Sequence, residues 1–533
     1  MFRFPTACNL ITVLLDRAAL LLGLSLRNSR LHGPRLASLR IANHRVCGLT
    51  FALLLCAPII ASAQTATPVA PAISFNPASI GISAGSAQVL TASFTVTGYA
   101  GSFTPTANLH YGHDYDLSPV SCTPGAGSET CSITVTFQPT LAGARKDAIF
   151  LMNGSTRLAT VLLNGVGQGP MSLLQPGAFT TSLPSAGLST SYYIYQSVTD
   201  ENGTVYVLPS GGNGFVFSIT KAGVVTQLPL TNSPYFWTIG IDGAGGLYLF
   251  DEAKAVTTYD TVQGIQGTYV IPYAGNDTSW YPGTVDGLGN FYIVDQIANN
   301  GELYEFNANR TSTYQDILSP RVLQPFAIAV DSQGNVFVGG YEIDEVSPTG
   351  TSIQVNTVGA GEGLAVDAAD TLYATRYIPL NEPSQGVAML PTSNYSTPEA
   401  SIDGNQSPLG VSVASDGTVF VSNYVNLDVF NRSTTETIAF GEVSSTSSKT
   451  DSTASTYNGG NEPLTLSTFS LSGAGFSVDS SQANDCISGM TLAPGALCQV
   501  TTTFSPVHAG RLPGRLPSNP TRSTPATSPR RYS

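Results

Sequence analysis

The sequence predicts an all-β protein in which a six-bladed β-propeller, residues 170–436, lies between two β-sandwich modules. Three observations predict this fold class. A hairpin phrase recurs six times in the central region, a Cys-containing phrase occurs once on each side of it, and short alternating strands punctuated by Gly, Pro and Asn fill the rest. The C-terminal sandwich lacks its last strand in the sequence, so we expect that module to be incomplete.

The hairpin phrase is clearest between Ile328 and Val338, where an alternating apolar strand leads into a turn and a second strand. Its six copies place equivalent turn positions at Asp200, Asp242, Asp286, Asp331, Asp367 and Ala414. The steps between them are 42, 44, 45, 36 and 47 residues. A period of about 40–45 residues is typical of propeller blades. Because a lone blade cannot bury both faces of its sheet, we expect the six to close into one ring.

The residue types found in each turn can be explained by the backbone conformation of the turn. Gly at the fourth turn position, as in Gly334, takes positive φ without a Cβ clash, and the opening Asp accepts hydrogen bonds from backbone N–H groups further on. The fifth copy departs, with Asp370 at that position. The phrase resembles the NHL repeat, whose consensus of Val-Asp, two free positions, Gly-Asn and Val-Tyr-Val fits four copies closely. This resemblance implies a propeller fold and no particular activity.

Residues 1–63 form a predicted secretory signal with an extended basic leader. The segment contains seven Arg, one acid and no Lys, followed by an apolar run from Gly48 to Ile60 and by Ala61-Ser62-Ala63. A basic segment, a short apolar core and an Ala-x-Ala site are typical of an export signal, here cleaved after Ala63. The rest of the chain has no long apolar run. We therefore expect a secreted, periplasmic or cell-surface protein without a transmembrane span after cleavage.

The charge of the chain argues against nucleic acid as a partner. Without the leader, 15 basic and 34 acidic residues remain. An acidic field repels phosphate backbones, so no nucleic-acid binding is predicted. The low content of charged residues, 11% of the whole chain, suits an extracellular β protein.

Four cysteines of the mature chain form two local pairs, Cys122 with Cys131 and Cys486 with Cys498. In an oxidising compartment each pair is a predicted disulfide. Neither pair has the Cys-x-x-Cys spacing of a zinc site, and the pairs belong to separate modules. No metal site is therefore predicted at the cysteines.

The two cysteine phrases identify a pair of related modules, residues 64–168 and 437–515. Cys131 to Pro139 matches Cys498 to Pro506, and both modules have the alternation of an immunoglobulin-like sandwich. Both resemble the Hydin-like or choice-of-anchor type D modules of bacterial secreted proteins.

Only the first module continues into the strand that resembles this family's closing strand, Leu158 to Gly167. In the second module the sequence turns to Arg and Pro after Gly510, and residues 516–533 are predicted to be a disordered tail, with a basic surface-binding tail as the alternative.

Candidate catalytic residues are scarce. The mature chain has three His, namely His110, His113 and His508, and none of them lies in the propeller. The amidating and streptogramin lyases that resemble this architecture depend on His, so their mechanisms find no matching residues. We interpret the stretch from His110 to Asp114 as a structural loop and not as a metal corner. No catalytic residue and no cofactor is assigned, and a Ca²⁺ site built from carboxylates is left open.

Aromatic residues precede the first strands of the early blades, at one end of the predicted channel. The candidate ligand-binding residues are Tyr193, Tyr235, Trp237, Trp280, Tyr281 and Phe326. Rings beside acids and amides suit a glycan or a peptide, whereas packing between blades is the alternative for each ring.

These observations favour a non-enzymatic function. We expect a secreted or cell-surface interaction or adhesion scaffold whose propeller binds a glycan, a peptide or an envelope protein. The alternative is a His-independent propeller hydrolase or lyase, lactonase-like and dependent on carboxylates or Ca²⁺, which requires converging acids at one channel mouth.

Overall fold

The computed structural model describes residues 64–98, 104–175, 178–184, 194–209, 214–231, 235–251, 255–270, 282–297, 300–307, 315–317, 325–340, 342–356, 363–375, 386–396, 400–403, 408–422, 426–433, 438–452, 454–467 and 473–508. Every regular element within these ranges is a β-strand. The described chain contains no helix, so the predicted all-β class is confirmed. The predicted signal, residues 1–63, and the predicted tail, residues 516–533, lie outside the described residues.

The N-terminal module consists of two sheets that pack face to face. Its strands are β1 (Thr65–Pro68), β2 (Ala72–Ser74), β3 (Ala78–Ser79), β4 (Gln88–Thr97), β5 (Thr106–Leu109), β6 (Tyr115–Leu117), β7 (Ser121–Pro124), β8 (Ser128–Phe137), β9 (Gly143–Asn153) and β10 (Thr156–Gln168). One sheet has the order β1-β4-β8-β6 with β7 also on β8, and the other has the order β2-β10-β9-β5 with β3 also on β10. The core lies between them and includes Phe94 and Ile133 from the first sheet and Ile149 and Val161 from the second. The immunoglobulin-like topology stays a prediction.

The central region forms six four-stranded antiparallel sheets within the described residues. Their strands are β12 (Ala178–Pro184), β13 (Ile194–Thr199), β14 (Val205–Pro209), β15 (Phe217–Ile219), β16 (Val225–Gln227), β17 (Phe236–Ile241), β18 (Gly246–Asp251), β19 (Ala255–Asp260), β20 (Ile265–Val270), β21 (Gly283–Val285), β22 (Phe291–Ile297), β23 (Asn300–Phe306), β24 (Gln315–Ile317), β25 (Ala327–Val330), β26 (Val336–Gly339), β27 (Ile343–Val346), β28 (Ser352–Asn356), β29 (Leu364–Val366), β30 (Leu372–Thr375), β31 (Gly386–Leu390), β32 (Ala400–Asp403), β33 (Gly410–Val413), β34 (Val419–Ser422) and β35 (Asn426–Asn431).

The first strands of these sheets lie side by side in a closed ring, which makes the central region a β-propeller. Contacts run from β13 through β17, β21, β25, β29 and β33 and return to β13. Strand β12 closes the ring, because it precedes the other strands in the chain yet pairs with β35 on the outer edge of the last sheet. One sheet therefore holds strands from both ends of the repeat, and the ring cannot open without breaking the pairs between β12 and β35.

The turn chemistry predicted from the repeat is present in the structure. At Asp331, carboxylate oxygen Oδ1 accepts hydrogen bonds from the backbone N–H groups of Gln333 at 2.9 Å and Asn335 at 2.8 Å. Gly334 has a φ of 85°. Equivalent bonds reach Asp200, Asp242, Asp286 and Asp367 from backbone N–H groups two and four residues further on. These acids hold the hairpin turns in shape.

The departure at Asp370 also has a structural reason. This residue adopts a left-handed φ of 56°, a conformation that is uncommon outside Gly. Its carboxylate accepts hydrogen bonds from the backbone N–H of Ser332 at 3.0 Å and from the hydroxyl of Ser332 at 2.8 Å. Asp370 therefore ties the fifth turn to the fourth, a contact that Gly cannot make.

The C-terminal module contains strands β36 (Lys449–Asp451), β37 (Ser455–Asn458), β38 (Leu464–Thr465), β39 (Phe476–Asp479), β40 (Thr491–Leu492), β41 (Leu497–Gln499) and β42 (Thr501–Phe504). They form the sheet β36-β42-β39, the pair β38-β40, and the pair β37-β41, to which β11 (Ser172–Gln175) adds a third strand. β11 lies within the predicted propeller range but pairs with the C-terminal module. The segment that connects the N-terminal module to the propeller thus contributes a strand to the C-terminal module.

Both predicted disulfides are formed in the structure, Cys122 with Cys131 and Cys486 with Cys498. Each lies inside one of the flanking modules. Cys131 and Cys498 are fully buried, so each bond fastens a loop to the core of its own module.

Candidate binding site

The central channel of the ring forms a cavity in the described structure. Its volume is about 430 Å³, and all six inner strands contribute to its wall. Polar groups from these strands include Gln196, Ser197, Thr238 and Ser412. Ser197 and Ser412 are joined by a hydrogen bond of 2.9 Å between their hydroxyls, which links the first sheet to the last across the closure of the ring.

The N-terminal module packs against one end of this channel. Its residues Tyr111, Lys146 and Asn164 line the same cavity as the turn residues Asp242 and Asp286. The covered end is therefore the end at which the Asp-containing turns lie. The sequence predicted the module but not this position, because nothing in a single chain indicates which surfaces of two domains meet.

Small turn residues allow the close approach of the module. A Cβ atom built on Gly243 would lie 2.5 Å from the backbone oxygen of Asp147, and one on Gly287 would lie 2.1 Å from Oδ1 of Asn164. Neither residue has a positive φ, so the backbone conformation does not require Gly at these positions. In the second and third turns, the first of the two positions that the repeat leaves free is thus a Gly that lies against the module.

We predict that Gly243→Ala weakens the contact between the N-terminal module and the ring. The new methyl group would overlap backbone atoms of Asp147, which cannot move as a side chain can, and overpacking typically costs about 1–3 kcal/mol. The measurement is hydrogen exchange of the Asp147 region together with urea denaturation. The control is Ser415→Ala, at the same place in the sixth turn, which should change neither result, and equal effects of the two variants would contradict the prediction.

A buried arginine bridges the N-terminal module and the ring. Arg145, on β9, is 1% exposed, and its guanidinium nitrogens Nε and Nη2 each lie 2.6 Å from Oδ2 of Asp114. Nη2 also lies 3.1 Å from Oε2 of Glu201, in the first turn of the ring. Burial raises the pKa of Glu201, while Arg145 and Lys146 act against that rise. Arg145 therefore neutralises a carboxylate from each side of the contact.

The stretch from His110 to Asp114 is a loop held by a carboxylate. Asp147 accepts hydrogen bonds from the backbone N–H groups of His110, Tyr111 and Gly112 at 2.9–3.0 Å. Burial, together with the charge of Arg157, lowers the pKa of His110 to about 4, so the imidazole is neutral at pH 7. The ring nitrogen Nε2 of His113 lies 2.9 Å from Oδ1 of Asn202 in the first turn. The loop is thus part of the contact with the ring.

The described residues contain one group of three metal-ligating side chains with converging donor atoms, formed by Cys122, Glu129 and Cys131. Its two cysteines are bonded to each other as a disulfide. The first carboxylates of five turns, those of Asp200, Asp242, Asp286, Asp331 and Asp367, accept hydrogen bonds from their own hairpins. Burial raises the pKa of Asp242 and of Asp367. Hydrogen bonds from its own turn act against the rise at Asp242, whereas at Asp367 a hydrogen bond from Tyr457 and the charge of Arg432 act against it.

The aromatic candidates fall into two groups. Tyr235 and Trp237 are half-buried, with ring centroids 4.7 Å apart and an edge-to-face angle of 62°. Tyr195, on the neighbouring sheet, lies 5.8 Å from Trp237 in the same manner. Phe326 is half-buried at the start of the fourth sheet. The remaining candidates, Tyr193, Trp280 and Tyr281, lie outside the described residues.

The three clustered residues lie at the starts of the inner strands, opposite the ends at which the turns lie. Tyr195 is the second residue of β13, and Tyr235 and Trp237 flank the first residue of β17. The hydrogen-bonded turns follow the last residues of the same strands. The structure thus brings together two of the predicted residues, Tyr235 and Trp237, with a third aromatic residue, Tyr195.

One acid of the fourth sheet provides a prediction of pH dependence. Burial, with repulsion from Glu342, raises the pKa of Asp344 from 3.8 to about 6. The folded state therefore holds the proton more tightly than the unfolded state, and this contribution to stability is present below pH 4 and is lost as the pH rises to about 6. We expect Asp344→Asn to gain stability relative to the wild type over this interval, measured by urea denaturation at pH 4, 5, 6 and 7.

The control for this prediction has the opposite sign. Burial would raise the pKa of Asp416, but hydrogen bonds from Thr418 and the charge of Lys221 hold it below 3.8. Asp416→Asn should therefore lose stability relative to the wild type as the pH rises to about 4, and this control is also measured at pH 3. A parallel pH response of the two variants would contradict the assignment of Asp344.

No protein-family model and no curated protein sequence matches this chain. The solved structures that resemble it are β-propeller proteins at low identity. A streptogramin B lyase is 13% identical, with 49% of this chain and 98% of the lyase covered and a TM-score of 0.36. A gluconolactonase from Xanthomonas campestris is 15% identical, with 49% and 94% covered and a TM-score of 0.39. The β-propeller domain of Cps50 from Myceliophteria thermophila is 9% identical, with 47% and 99% covered and a TM-score of 0.35.

Within the described ranges, no helix is long and apolar enough to cross a membrane. The two disulfides are compatible with an extracellular protein.

Proposed function

We propose that this chain is an exported binding scaffold without catalytic activity, built from a six-bladed β-propeller between two immunoglobulin-like modules. The observation that carries the proposal is that, among the described residues, one end of the channel is covered and the other is not assigned to a module contact. One end is covered by the N-terminal module, and the first carboxylates of five turns at that end cap their own turns. Binding is therefore assigned to the opposite end, where Tyr195, Tyr235 and Trp237 form an aromatic cluster.

The chemistry of this cluster suits an extracellular ligand with flat apolar faces and polar edges. Aromatic rings supply contact area to the C–H faces of a sugar or to the side chains of a peptide, at little cost in side-chain entropy. We propose a glycan as the first ligand to test. A peptide and an envelope protein are the alternative ligands. Export of the mature chain, residues 64–533, is part of the same proposal.

The test is binding of the mature chain to a glycan array, for the wild type and for Trp237→Ala. A second variant, Trp280→Ala, tests the predicted contribution of the third blade. The matched control is Tyr269→Ala, which removes a half-buried ring from the outermost strand of the second sheet, where Tyr269 packs on Phe291. We expect a loss of tenfold or more for Trp237→Ala and no change for the control. Equal binding by all folded variants would assign the rings to packing alone.

The alternative, a hydrolase or lyase that depends on carboxylates or Ca²⁺, requires acids that converge at the open end of the channel. The described turn acids lie at the covered end, where Asp200, Asp242, Asp286, Asp331 and Asp367 accept hydrogen bonds from their own hairpins. A thermal melt with and without 5 mM Ca²⁺ (about five times a weak extracellular site's dissociation constant) separates the Ca²⁺-dependent form from the scaffold. A melting temperature raised by several degrees would favour the alternative, and an unchanged one would favour the scaffold.

A further inference from the structure

The two disulfides of the chain differ in how accessible they are. Cys486 and Cys498 are 2% and 0% exposed, so their bond is enclosed within the C-terminal module. In the N-terminal module Cys131 is also fully buried, but Cys122 is only half-buried. Cys122 lies on β7, which in the described sheet pairs with β8 and forms an edge. A reductant in solution can therefore approach the bond of the N-terminal module from the side of Cys122.

The pairing of β7 and β8 keeps the two sulfur atoms of this bond close together. Cys122 lies directly opposite Cys131 in the register of the two strands, and their Cα atoms are 4.0 Å apart. The residue pairs on either side keep the same register. Because this ladder is built from backbone hydrogen bonds, it does not depend on the S–S bond. Reduction would therefore leave two thiols side by side.

A carboxylate lies beside the two cysteines. Glu129 is two residues before Cys131 on β8, so its side chain is on the same face of the strand as the buried Cys131 and Ile133. Its neighbour on β4 is Val96, which is fully buried. Among the residues that the structure describes, the half-buried carboxylate of Glu129 has no hydrogen-bond or ion-pair partner. A carboxylate in this position favours a nearby positive charge.

The three side chains converge on one point. The two sulfur atoms and a carboxylate oxygen of Glu129 all lie within 4.8 Å of one another. Donor atoms around a tetrahedral zinc ion are about 3.5 Å apart, because Zn–S bonds are about 2.3 Å long. Thiolates prefer zinc to calcium or magnesium, and a carboxylate is an accepted third ligand. The spacing of the cysteines in the sequence is not that of a zinc site, but the register of β7 and β8 brings the donors together.

The C-terminal pair lacks such a carboxylate and is an internal comparison. Asp485 precedes Cys486, but its carboxylate accepts hydrogen bonds from the backbone N–H of Gln482 at 2.8 Å and from the hydroxyl of Thr501 at 2.7 Å. In the described part of this module, no group of three ligating side chains includes Cys486 or Cys498. The two modules share a cysteine phrase and differ in what surrounds it.

We propose that Cys122, Cys131 and Glu129 form a zinc site when their disulfide is reduced. A dithiol protein in the same compartment transfers two electrons and two protons to the S–S bond, which yields two thiols and leaves the reductant as a disulfide. Binding of Zn²⁺ releases the two protons from the thiols, and water takes the fourth position. The metal then replaces the S–S bond as the link between β7 and β8, so the hairpin is fastened in both redox states.

The first measurement compares the reduction of the two disulfides. The mature chain is treated with increasing concentrations of a phosphine reductant, and the free thiols are alkylated and located by mass spectrometry. We expect Cys122 and Cys131 to be alkylated at a reductant concentration about tenfold lower than Cys486 and Cys498, because burial excludes the reductant from the second pair. Reduction of the C-terminal pair first would overturn the proposal.

The second measurement is metal binding by the reduced protein, with Co²⁺ as a spectroscopic substitute for Zn²⁺. We expect thiolate-to-cobalt charge-transfer absorption at one ion per chain, and its loss when Zn²⁺ is added. Glu129→Gln should weaken Co²⁺ binding about tenfold or more, because it removes one of three ligands. The matched control is Asp116→Asn, an exposed acid on β6 of the same sheet, which should bind Co²⁺ as the wild type does. Equal binding by Glu129→Gln, or no Co²⁺ uptake by the wild type, would overturn the proposal.

Urea denaturation keeps the test decisive if reduction loosens the module. Zn²⁺ should raise the denaturation midpoint of the reduced wild type, because it binds the folded site. The double variant Cys122→Ser and Cys131→Ser lacks both thiolates and keeps the C-terminal pair, so Zn²⁺ should leave its midpoint unchanged. An equal rise in the wild type and the double variant would place the metal elsewhere and overturn the proposal.

Discussion

Replacement of Arg145 by Met is expected to lower the free energy of unfolding by about 3–5 kcal/mol, the range found when one member of a buried ion pair is removed. Arg145 is 1% exposed, and its side chain is the cation shared by Asp114 and Glu201. Met has a similar length and fills the space, so the variant mainly removes the charge and its hydrogen bonds. Two buried carboxylates then lose their counter-charge.

The measurement is urea denaturation of the mature chain with its disulfides intact. Glu201→Gln and the double variant complete a thermodynamic cycle, in which we expect the loss caused by Arg145→Met to be smaller once the carboxylate of Glu201 is gone. The control is Lys221→Met, which breaks the exposed pair with Asp416, where the two side chains are 75% and 40% exposed. Exposed pairs contribute about 0–1 kcal/mol. A loss under 1 kcal/mol for Arg145→Met would contradict a bridging role.

The propeller fold was predictable because its rules are local. The Asp, Gly and Asn of each turn act within four residues, so the hairpins could be identified from positions such as Asp331 and Gly334 alone. The period of the repeat then implied a ring. The two disulfides were predictable for the same reason, since each closes a short loop.

The covered end of the channel was not predictable, because it depends on surfaces far apart in the sequence. Arg145 and Glu201 are 56 residues apart, and Glu201 occupies a turn position that the repeat leaves free. Gly243 and Gly287 occupy turn positions that the repeat leaves free, so their role is visible only when the module packs on them. A local sequence signal did exist for the contact between the fourth and fifth turns, because Asp370 replaces the Gly that the repeat has at this position.

The second large effect is expected at Arg432, which follows β35 and joins the closure of the ring to the C-terminal module. Arg432 is fully buried, donates to the carbonyl of Leu174 at 3.2 Å and to the hydroxyl of Tyr373, and lies 4.3 Å above the ring of Tyr457. The hydroxyls of both tyrosines donate to Oδ2 of Asp367, at 3.0 and 2.8 Å. The network thus holds one buried carboxylate and one buried cation.

We expect Arg432→Met to lower the free energy of unfolding by about 3 kcal/mol, because it leaves Asp367 without the buried cation and removes the donor to Leu174. Hydrogen exchange should increase in β12 and β35, whose pairing closes the ring, more than in β17. Tyr457→Phe is the matched control, since it deletes one hydroxyl and keeps the ring under Arg432, and a loss of about 1–3 kcal/mol is expected.

The combination of Arg432→Met with Asp367→Asn separates charge from packing. If the charge of Asp367 is the cause, removing it should recover part of the stability that Arg432→Met loses, because the amide keeps an acceptor for Tyr373 and Tyr457 without a buried charge. Additive losses in the double variant would instead assign the effect of Arg432 to its contacts with Leu174 and the Tyr457 ring. In either case an increase in exchange confined to β37 and β41 would show that Arg432 secures the C-terminal module and not the closure of the ring.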